Sequence, residues 1–404
     1  VSNTGQRDRS EPIVADVAII GDGPAGSALA RAINGVADPV DGVPLDVVLI
    51  GPDAPWTATY SAWADQIERN PITADVDVWK YRFDAIDVRS RSVRVVDRAY
   101  GVIDNRALRT VLRDGVRHER QLIESLDQVR ASLVVDATGW PSRITVPNEP
   151  VDVDWQVAYG VVLATAPGGP LGRPMLMDFS DPYVASAGDD GLGVTTFGYS
   201  LPVDDGWLVE ETVLAGPDIA PANLKPRLAA RLGVTAEELD AMAIAVEEVR
   251  IPMGVPMSGA SRPLAFGAAA GLIHPATGYS IAGSLSAAQR VAREIGAAFD
   301  PNGGIDTQQI HDAIWPMSAR RTRRLHEYGL DVLTRLDDEG TRDFFETFFG
   351  LDVSDQAAYL DIDTPPRALA AVMTRMFARS SWSMRRHLVG GDLRRLARVI
   401  RPTS

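Results

Sequence analysis

Between residues 14 and 30 the chain changes period. Val14, Val17, Ala18, Ile19 and Ile20 form a short apolar run that reads as a buried strand, and Ala28, Leu29 and Ala30 continue as a helix former. A second apolar run, 45–50, follows a loop containing Asp38, Pro39, Gly42 and Pro44. A third, 131–139, carries Leu133, Val134 and Val135 and ends in Asp136-Ala137-Thr138-Gly139. Between the second and third runs, Val76, Val78, Tyr81, Phe83, Ile86, Val88, Val93 and Val95 predict strands, and a helix is predicted over 105–119.

From 151 to about 250 the texture shifts to alternating runs, at 155–163, 193–201 and 206–214. This predicts an inserted antiparallel sheet, with short helices over 221–232 and 236–242. Residues 263–289 contain no Asp, Glu, Lys or Arg, but Gly267, Gly271, Pro275, Gly278 and Gly283 argue against a membrane span. A strand at 264–267, a glycine-rich turn and a helix from about 280 fit better. The remainder is helical: Trp315-Pro316 starts one helix, with Arg320, Arg321, Arg323 and Arg324 as its basic face.

Each glycine after the first strand has a use. Gly21, Gly23 and Gly26, with Pro24 and Ala25 between, stand at GxGxxG spacing. They provide a tight turn, a close backbone approach to a pyrophosphate and close helix packing. The pyrophosphate would sit on the free amides of the following helix. A lone GxGxxG is a weak signal; strand before and helix after is the setting that supports dinucleotide binding. The acid that usually ends the second strand is absent, since Gly51 stands there; Asp53, two residues on, is the candidate replacement. No second GxGxxG opens a helix, so a tightly bound FAD and a visiting reductant are expected. The fold class is therefore α/β: a Rossmann-like FAD-binding domain with an inserted antiparallel β-sheet substrate domain and a C-terminal helical region. The expected division is 13–55, 96–150 and 250–310 for FAD, 56–95 and 151–249 for substrate, and 311–404 for the helices.

Composition narrows the chemistry. A 404-residue chain with 45% apolar and 23% charged residues is an ordinary globular protein of one large core or two lobes. With no cysteine, disulfides and thiol nucleophiles are excluded, and five histidines lacking H-x-x-x-H spacing argue against a metal site. A net charge of −14 argues against nucleic acid as partner. The first dozen residues are polar, without the apolar core of a signal peptide, so the expectation is a cytoplasmic protein, soluble or peripheral.

Several residues carry two readings. Trp56, Tyr60 and Trp63 form either a packed aromatic loop or a lid over a ligand. Arg106 and Arg109 are either solvated helix charges or contacts to flavin and its phosphates. Glu210 and Glu211 are consecutive on a predicted strand, so one should face inside and the other solvent. A buried carboxylate can serve as an acid; two strand-end charges are the plainer reading. His274 beside Pro275 reads as structural. Over 367–401, Leu369, Met373, Met376, Phe377, Trp382 and Leu388 interleave with Arg375, Arg379, Arg385, Arg386, Arg394, Arg395 and Arg398. That pattern suits an anionic membrane surface or a solvated core-packing helix.

Taken together these segments resemble the flavin-dependent lycopene cyclase family over nearly the whole chain. The resemblance is carried by 21–26, the Trp56–Gln66 segment, Tyr100 to Asp104 and Asp136 to Gly139. It continues through Gln156-Val157-Ala158-Tyr159-Gly160, Leu208-Val209-Glu210-Glu211-Thr212, Ile251-Pro252-Met253-Gly254, and Gly271 to Tyr279. Trp315-Pro316 and the Phe344-Phe345 and Phe348-Phe349 pairs complete it. The Glu-Glu-Thr and His-Pro-x-Thr-Gly-Tyr segments are the most specific. Leu208-Val209, Asp65-Gln66 and Val255 depart from the family's usual residues, which touches pocket shape and flavin surroundings more than the proposed acid.

The resemblance implies a non-redox cyclisation at the end of a linear polyene, with reduced FAD present but not consumed and NAD(P)H as an external reductant. Such chemistry needs an acid, a base and negative charge facing a cation in a dry pocket. Glu210 is the implied acid or base and Glu211 its support. Cofactor contacts are implied for Gly21, Gly23, Pro24, Ala25, Gly26, Asp53, Arg106, Thr138, Gly139, Gly271, Pro275, Thr277, Gly278 and Tyr279, and substrate contacts for Tyr60, Trp63, Tyr159 and His274. The partner is a carotenoid, lycopene first; a long insoluble substrate also favours membrane contact through the Arg-rich C-terminus. A monooxygenase or prenyl reductase on the same scaffold, and a cyclase of another polyene, remain alternatives.

Overall fold

The computed structural model describes residues 11–36, 44–145, 151–180, 192–298 and 305–390. Asp38, Pro39 and Gly42 of the first loop, and Arg394, Arg395 and Arg398, lie outside the described residues. In chain order the protein begins β1 (Ile13–Ile20), α1 (Pro24–Asn34), β2 (Val47–Gly51), β3 (Ser61–Trp63) and α2 (Ala64–Glu68). Then come β4 (Trp79–Phe83), β5 (Ile86–Arg89), β6 (Val93–Val96), β7 (Tyr100–Ile103), α3 (Asn105–Arg113), β8 (Arg117–Arg120) and β9 (Val129–Asp136). The middle of the chain holds β10 (Asp154–Leu163), β11 (Met175–Asp178), β12 (Thr196–Val203), β13 (Gly206–Gly216), α4 (Lys225–Leu232), α5 (Ala236–Met242) and β14 (Ala243–Met253). It closes with β15 (Leu264–Ala265), α6 (Ile281–Ala298), α7 (Thr307–Ile314), α8 (Met317–Leu333), α9 (Asp338–Phe349), α10 (Val353–Tyr359), α11 (Pro366–Arg379) and α12 (Trp382–Val389).

Among the described residues these strands form three sheets. A five-stranded sheet in the order β15-β9-β1-β2-β8 is parallel throughout. Parallel sheets are covered on both faces, which is why β1 and β2 read as unbroken apolar runs. Their side chains pack with α1 and α6 through Ile19, Leu29, Leu49, Leu285 and Val291. A seven-stranded sheet, β14-β10-β13-β12-β11-β5-β6, and a three-stranded one, β3-β7-β4, make the rest.

The helix expected over 105–119 stops at Arg113. Gly115 takes a left-handed φ of 68° and the chain turns into β8, which pairs with β2. Arg117-His118-Glu119-Arg120 has no apolar alternation because it is an edge strand. The basic face expected on α8 is also corrected. Arg323 is fully buried and donates to the carbonyls of Gly271, Ile273 and Val255, so it ties α8 to the glycine-rich turn. The C-terminal helices are latched through Glu346. It accepts from Ser90, Ser92 and Arg94 on the β5–β6 hairpin, placing Phe345, Phe348 and Phe349 beneath the large sheet.

Candidate active site

Two cavities meet inside the fold. The first, of about 360 Å³, lies over the β1–α1 turn and is lined by Gly21, Asp22, Gly23, Pro24, Ala25, Thr138, Gly139 and Arg143. The second, of about 280 Å³, is mainly apolar and lies between β10, β12 and β13, the β3–β7 pair and α9. Tyr60, Ser280 and Ile281 line both.

The first cavity is shaped by missing side chains. A Cβ on Gly26 would lie 1.9 Å from the Gly21 carbonyl oxygen. One on Gly21, whose φ is 111°, would lie 2.3 Å from that of Ala137. Gly23 caps α1 without a side-chain bond and Pro24 follows at the first turn, so the helix amides face the cavity. Asp136 accepts from the amide and hydroxyl of Thr138 and from Ser142, fixing the loop beyond β9.

The structure also explains why no acid ends β2. A Cβ on Gly51 would fall 2.2 Å from Cγ of Asp22, so the Asp22 side chain already fills that space. Asp22 accepts from the Asp53 amide at 2.8 Å and pairs with Arg113 at 3.1 Å. Asp53 sits at φ 60°, a backbone that Asp tolerates, and is held by Arg109, Arg113 at 2.7 Å and Arg120 at 2.9 Å. Burial alone would raise its carboxyl, but Arg109, Arg120 and His118 together hold it below the usual range. Asp53 lines an outer groove, not the first cavity, and so does the exposed Arg106. Asp22, Asp53 and His118 come within the spacing of a metal site, but guanidinium groups occupy the same carboxylates.

The second cavity holds Glu210. On β13 it faces inward, and no hydrogen bond engages it among the described residues. Burial first, and the Glu247 carboxylate second, raise its pKa from 4.5 to about 8. Its register neighbour Tyr199 belongs to a buried hydroxyl cluster. Ser61 bonds Tyr100 at 2.7 Å and Tyr199 at 2.8 Å, and Tyr100 meets Tyr279 at 2.9 Å. Trp63 packs edge-on against Tyr100, with Arg98 over its ring at 4.5 Å. Gln156 Oε1 is buried at the cavity wall beside Gly278 without a partner.

Glu211 departs from expectation. It points away from Glu210 as strand parity requires, yet not into solvent. It is fully buried under α4, where Arg231 donates to both its oxygens, at 2.6 and 2.8 Å. Tyr159 shares that far face: it packs with Leu228 and Leu239 and does not line the second cavity. His274 lines neither cavity. It is buried against His326, and both rings bond the Tyr359 carbonyl; burial lowers its pKa to about 4, so it is neutral. Of the glycine-rich turn, Thr277, Gly278 and Tyr279 line the apolar cavity, whereas Gly271 and Pro275 line neither. Gly271, at φ 81°, closes the turn against Pro256 and Val255. Tyr60 and Trp63 do face the apolar cavity. Asp22, Tyr199, Gln156 and Glu247 went unpredicted as site residues; Asp22, inside the glycine fingerprint, and Gln156, at the head of the Gln-Val-Ala-Tyr-Gly segment, had a signal in the sequence.

The fold is similar to that of a geranylgeranyl bacteriochlorophyll reductase-like protein from Thermoplasma acidophilum. That likeness has a TM-score of 0.63 at 15% identity, over 91% of this chain and 98% of the other. A flavoprotein/dehydrogenase from Cytophaga hutchinsonii gives a TM-score of 0.55 at 12% identity, over 95% and 98%. In sequence, a chloroplastic lycopene beta cyclase of an Oncidium hybrid cultivar is 30% identical over 83% of this chain and 75% of its own. A chromoplastic capsanthin/capsorubin synthase of Citrus sinensis is 29% identical over 94% and 80%. The family described as "Lycopene cyclase protein" matches residues 16–125 and 114–386. Most of the chain is thereby covered, and the protein belongs to the lycopene cyclase family.

Proposed function

We propose that the protein cyclises the linear end group of lycopene or a related carotenoid to a β-ionone-type ring, with no net redox change. The observation that carries this reading is Glu210: an unengaged carboxyl facing an apolar cavity, where burial raises its pKa to about 8. The glycine cradle, the free amides of α1 and the unpartnered Gln156 Oε1 fit FAD, which Gly21, Gly23, Pro24, Ala25, Gly26, Thr138 and Gly139 would hold. When bound in reduced form, FAD supplies negative charge close to the cavity. NAD(P)H is the proposed source of its electrons.

The residues around the cavity do the rest. Glu210 gives its proton to the terminal trisubstituted alkene, leaving a tertiary cation. A neighbouring double bond attacks that cation and closes a six-membered ring. Proton loss then sets the final double bond and the proton returns to Glu210, so substrate and product are isomers. Phe345, Phe348, Leu208 and Ile251 keep water out, which preserves both the acid and the cation. Glu211 is a structural residue in this scheme, since Arg231 neutralises it on the other side of the sheet.

No helix among the described residues is long and apolar enough to cross a membrane. Trp382, 74% exposed, and Phe377 stand among Arg375, Arg379, Arg385 and Arg386 on α11 and α12, which supports peripheral contact with an anionic bilayer. The test is incubation of the protein with reduced FAD and lycopene in lipid. An isomeric, ring-bearing product is expected. A product changed in mass by two hydrogens or one oxygen would point to reductase or monooxygenase chemistry instead.

A further inference from the structure

Gly160, at the middle of β10, has a carboxylate on each side. Its register partner on β13 is Glu210 and its partner on β14 is Glu247, and cross-strand partners share a face. The Glu210 side chain lies over Gly160, where a Cβ would fall 2.8 Å from its Cγ. Glu247 is half-buried and lines the outer groove, not the apolar cavity. Both its oxygens are engaged by one residue: the Thr59 amide donates to Oε1 at 2.8 Å and the Thr59 hydroxyl to Oε2 at 2.6 Å. Thr59 lines both spaces, so it forms part of the wall between the dry cavity and the open groove.

We infer that Glu247 is a positioning residue for the proposed acid: its carboxylate, held by two hydrogen bonds from Thr59, shares the sheet face of Glu210 across Gly160, favours the protonated form of Glu210, and latches the segment before β3 over the cavity. This rests on the reading of Glu210 as the acid. A like charge on the next strand but one of the same sheet face disfavours ionisation of a buried carboxyl that lacks hydrogen bonds of its own. The proton therefore stays on Glu210, the one that lacks such bonds. After Glu210 has given up its proton, the pair carries two negative charges, and that repulsion pulls a proton back onto Glu210. Glu247 itself makes no bond to substrate.

Other groups face the pair. Tyr199 on β12, Tyr100 on β7 and Tyr279 line the Glu210 side. Their phenols are neutral, since burial raises all three above the ordinary tyrosine value. On the groove side stand Tyr60, Asp53 and Asp104, Lys80 on β4, Arg106, Arg109 and Arg113 on α3, His118 and Arg120 on β8, Asp204 and Asp205 in the β12–β13 turn, and Glu248 and Arg250 on β14. None of these bonds Glu247 directly; among the described residues Thr59 does.

The experiment is an infrared titration of the purified protein, following the protonated-carboxyl stretch that disappears in Glu210→Gln. In wild type its midpoint should lie near pH 8. In Glu247→Gln, which keeps the shape but loses the charge, the midpoint should fall by about one pH unit or more. Glu247→Asp should restore most of that shift. The upper limb of the pH–rate profile should move with the midpoint. An unchanged midpoint in Glu247→Gln would overturn the inference. Absence of a cyclic product from wild type would instead remove the proposed function, while the titration would still report whether Glu247 governs the Glu210 proton.

Discussion

Glu210 and Glu211 are adjacent on β13 and stand on opposite faces of the sheet, one unpaired toward the apolar cavity and the other in a two-bond pair with Arg231 under α4. One residue of register thus separates the proposed proton donor from a group that holds an element in place. The buried pair should respond to mutation as structure. Arg231→Leu leaves the Glu211 charge uncompensated and should cost about 3–5 kcal/mol. Chemical denaturation of the variant checks this.

Glu210 should cost stability as the pH rises. Unfolded, it ionises near 4.5; folded, near 8, so the native state binds the extra proton between those values. Its contribution is full below the lower value, declines by about 1.4 kcal/mol per pH unit through the window, and is constant above it. Glu210→Gln removes that decline. Thermal melts of both proteins at about pH 5 and about pH 9 should therefore show the variant gaining on wild type at the higher pH.

The glycine cradle should be intolerant. Gly26→Ala puts a methyl 1.9 Å from a backbone oxygen that no rotamer change can move, so α1 must shift off the turn. The purified variant should carry little or no flavin absorbance, whereas wild type is expected to carry it. Gly23→Ala, where a Cβ meets nothing within 4 Å, is the matched control and should fold normally.

Membrane contact should depend on α12. Trp382→Ala removes an aromatic ring that is largely exposed and packs on little of the fold. Co-sedimentation with anionic vesicles should weaken, with thermal stability within about 0.5 kcal/mol of wild type.

The β1–turn–α1 unit was legible because all of its determinants are contiguous: a buried parallel strand, three glycines and a helix former within twenty residues. The inserted sheet was legible from its alternation. What escaped depends on distant partners. β8 carries three charged residues and a histidine and, among the described residues, pairs only with β2, so no local pattern marks it. Tyr159 and Glu211 were drawn into the site by the motifs that contain them, and strand parity sends both to the far face. Arg323 read as surface charge because helical spacing cannot show that three carbonyls of the glycine-rich turn converge on it. Glu247 is invisible until register sets β13 and β14 on either side of Gly160.

The most direct test is turnover of lycopene by Glu210→Gln under reducing conditions, with bound flavin measured in the same sample. Replacing the acid by its amide should lower ring formation by roughly 10²–10⁴-fold while flavin content stays at the wild-type level. Ring formation within a few-fold of wild type, flavin retained, would contradict the assignment of the proton to Glu210.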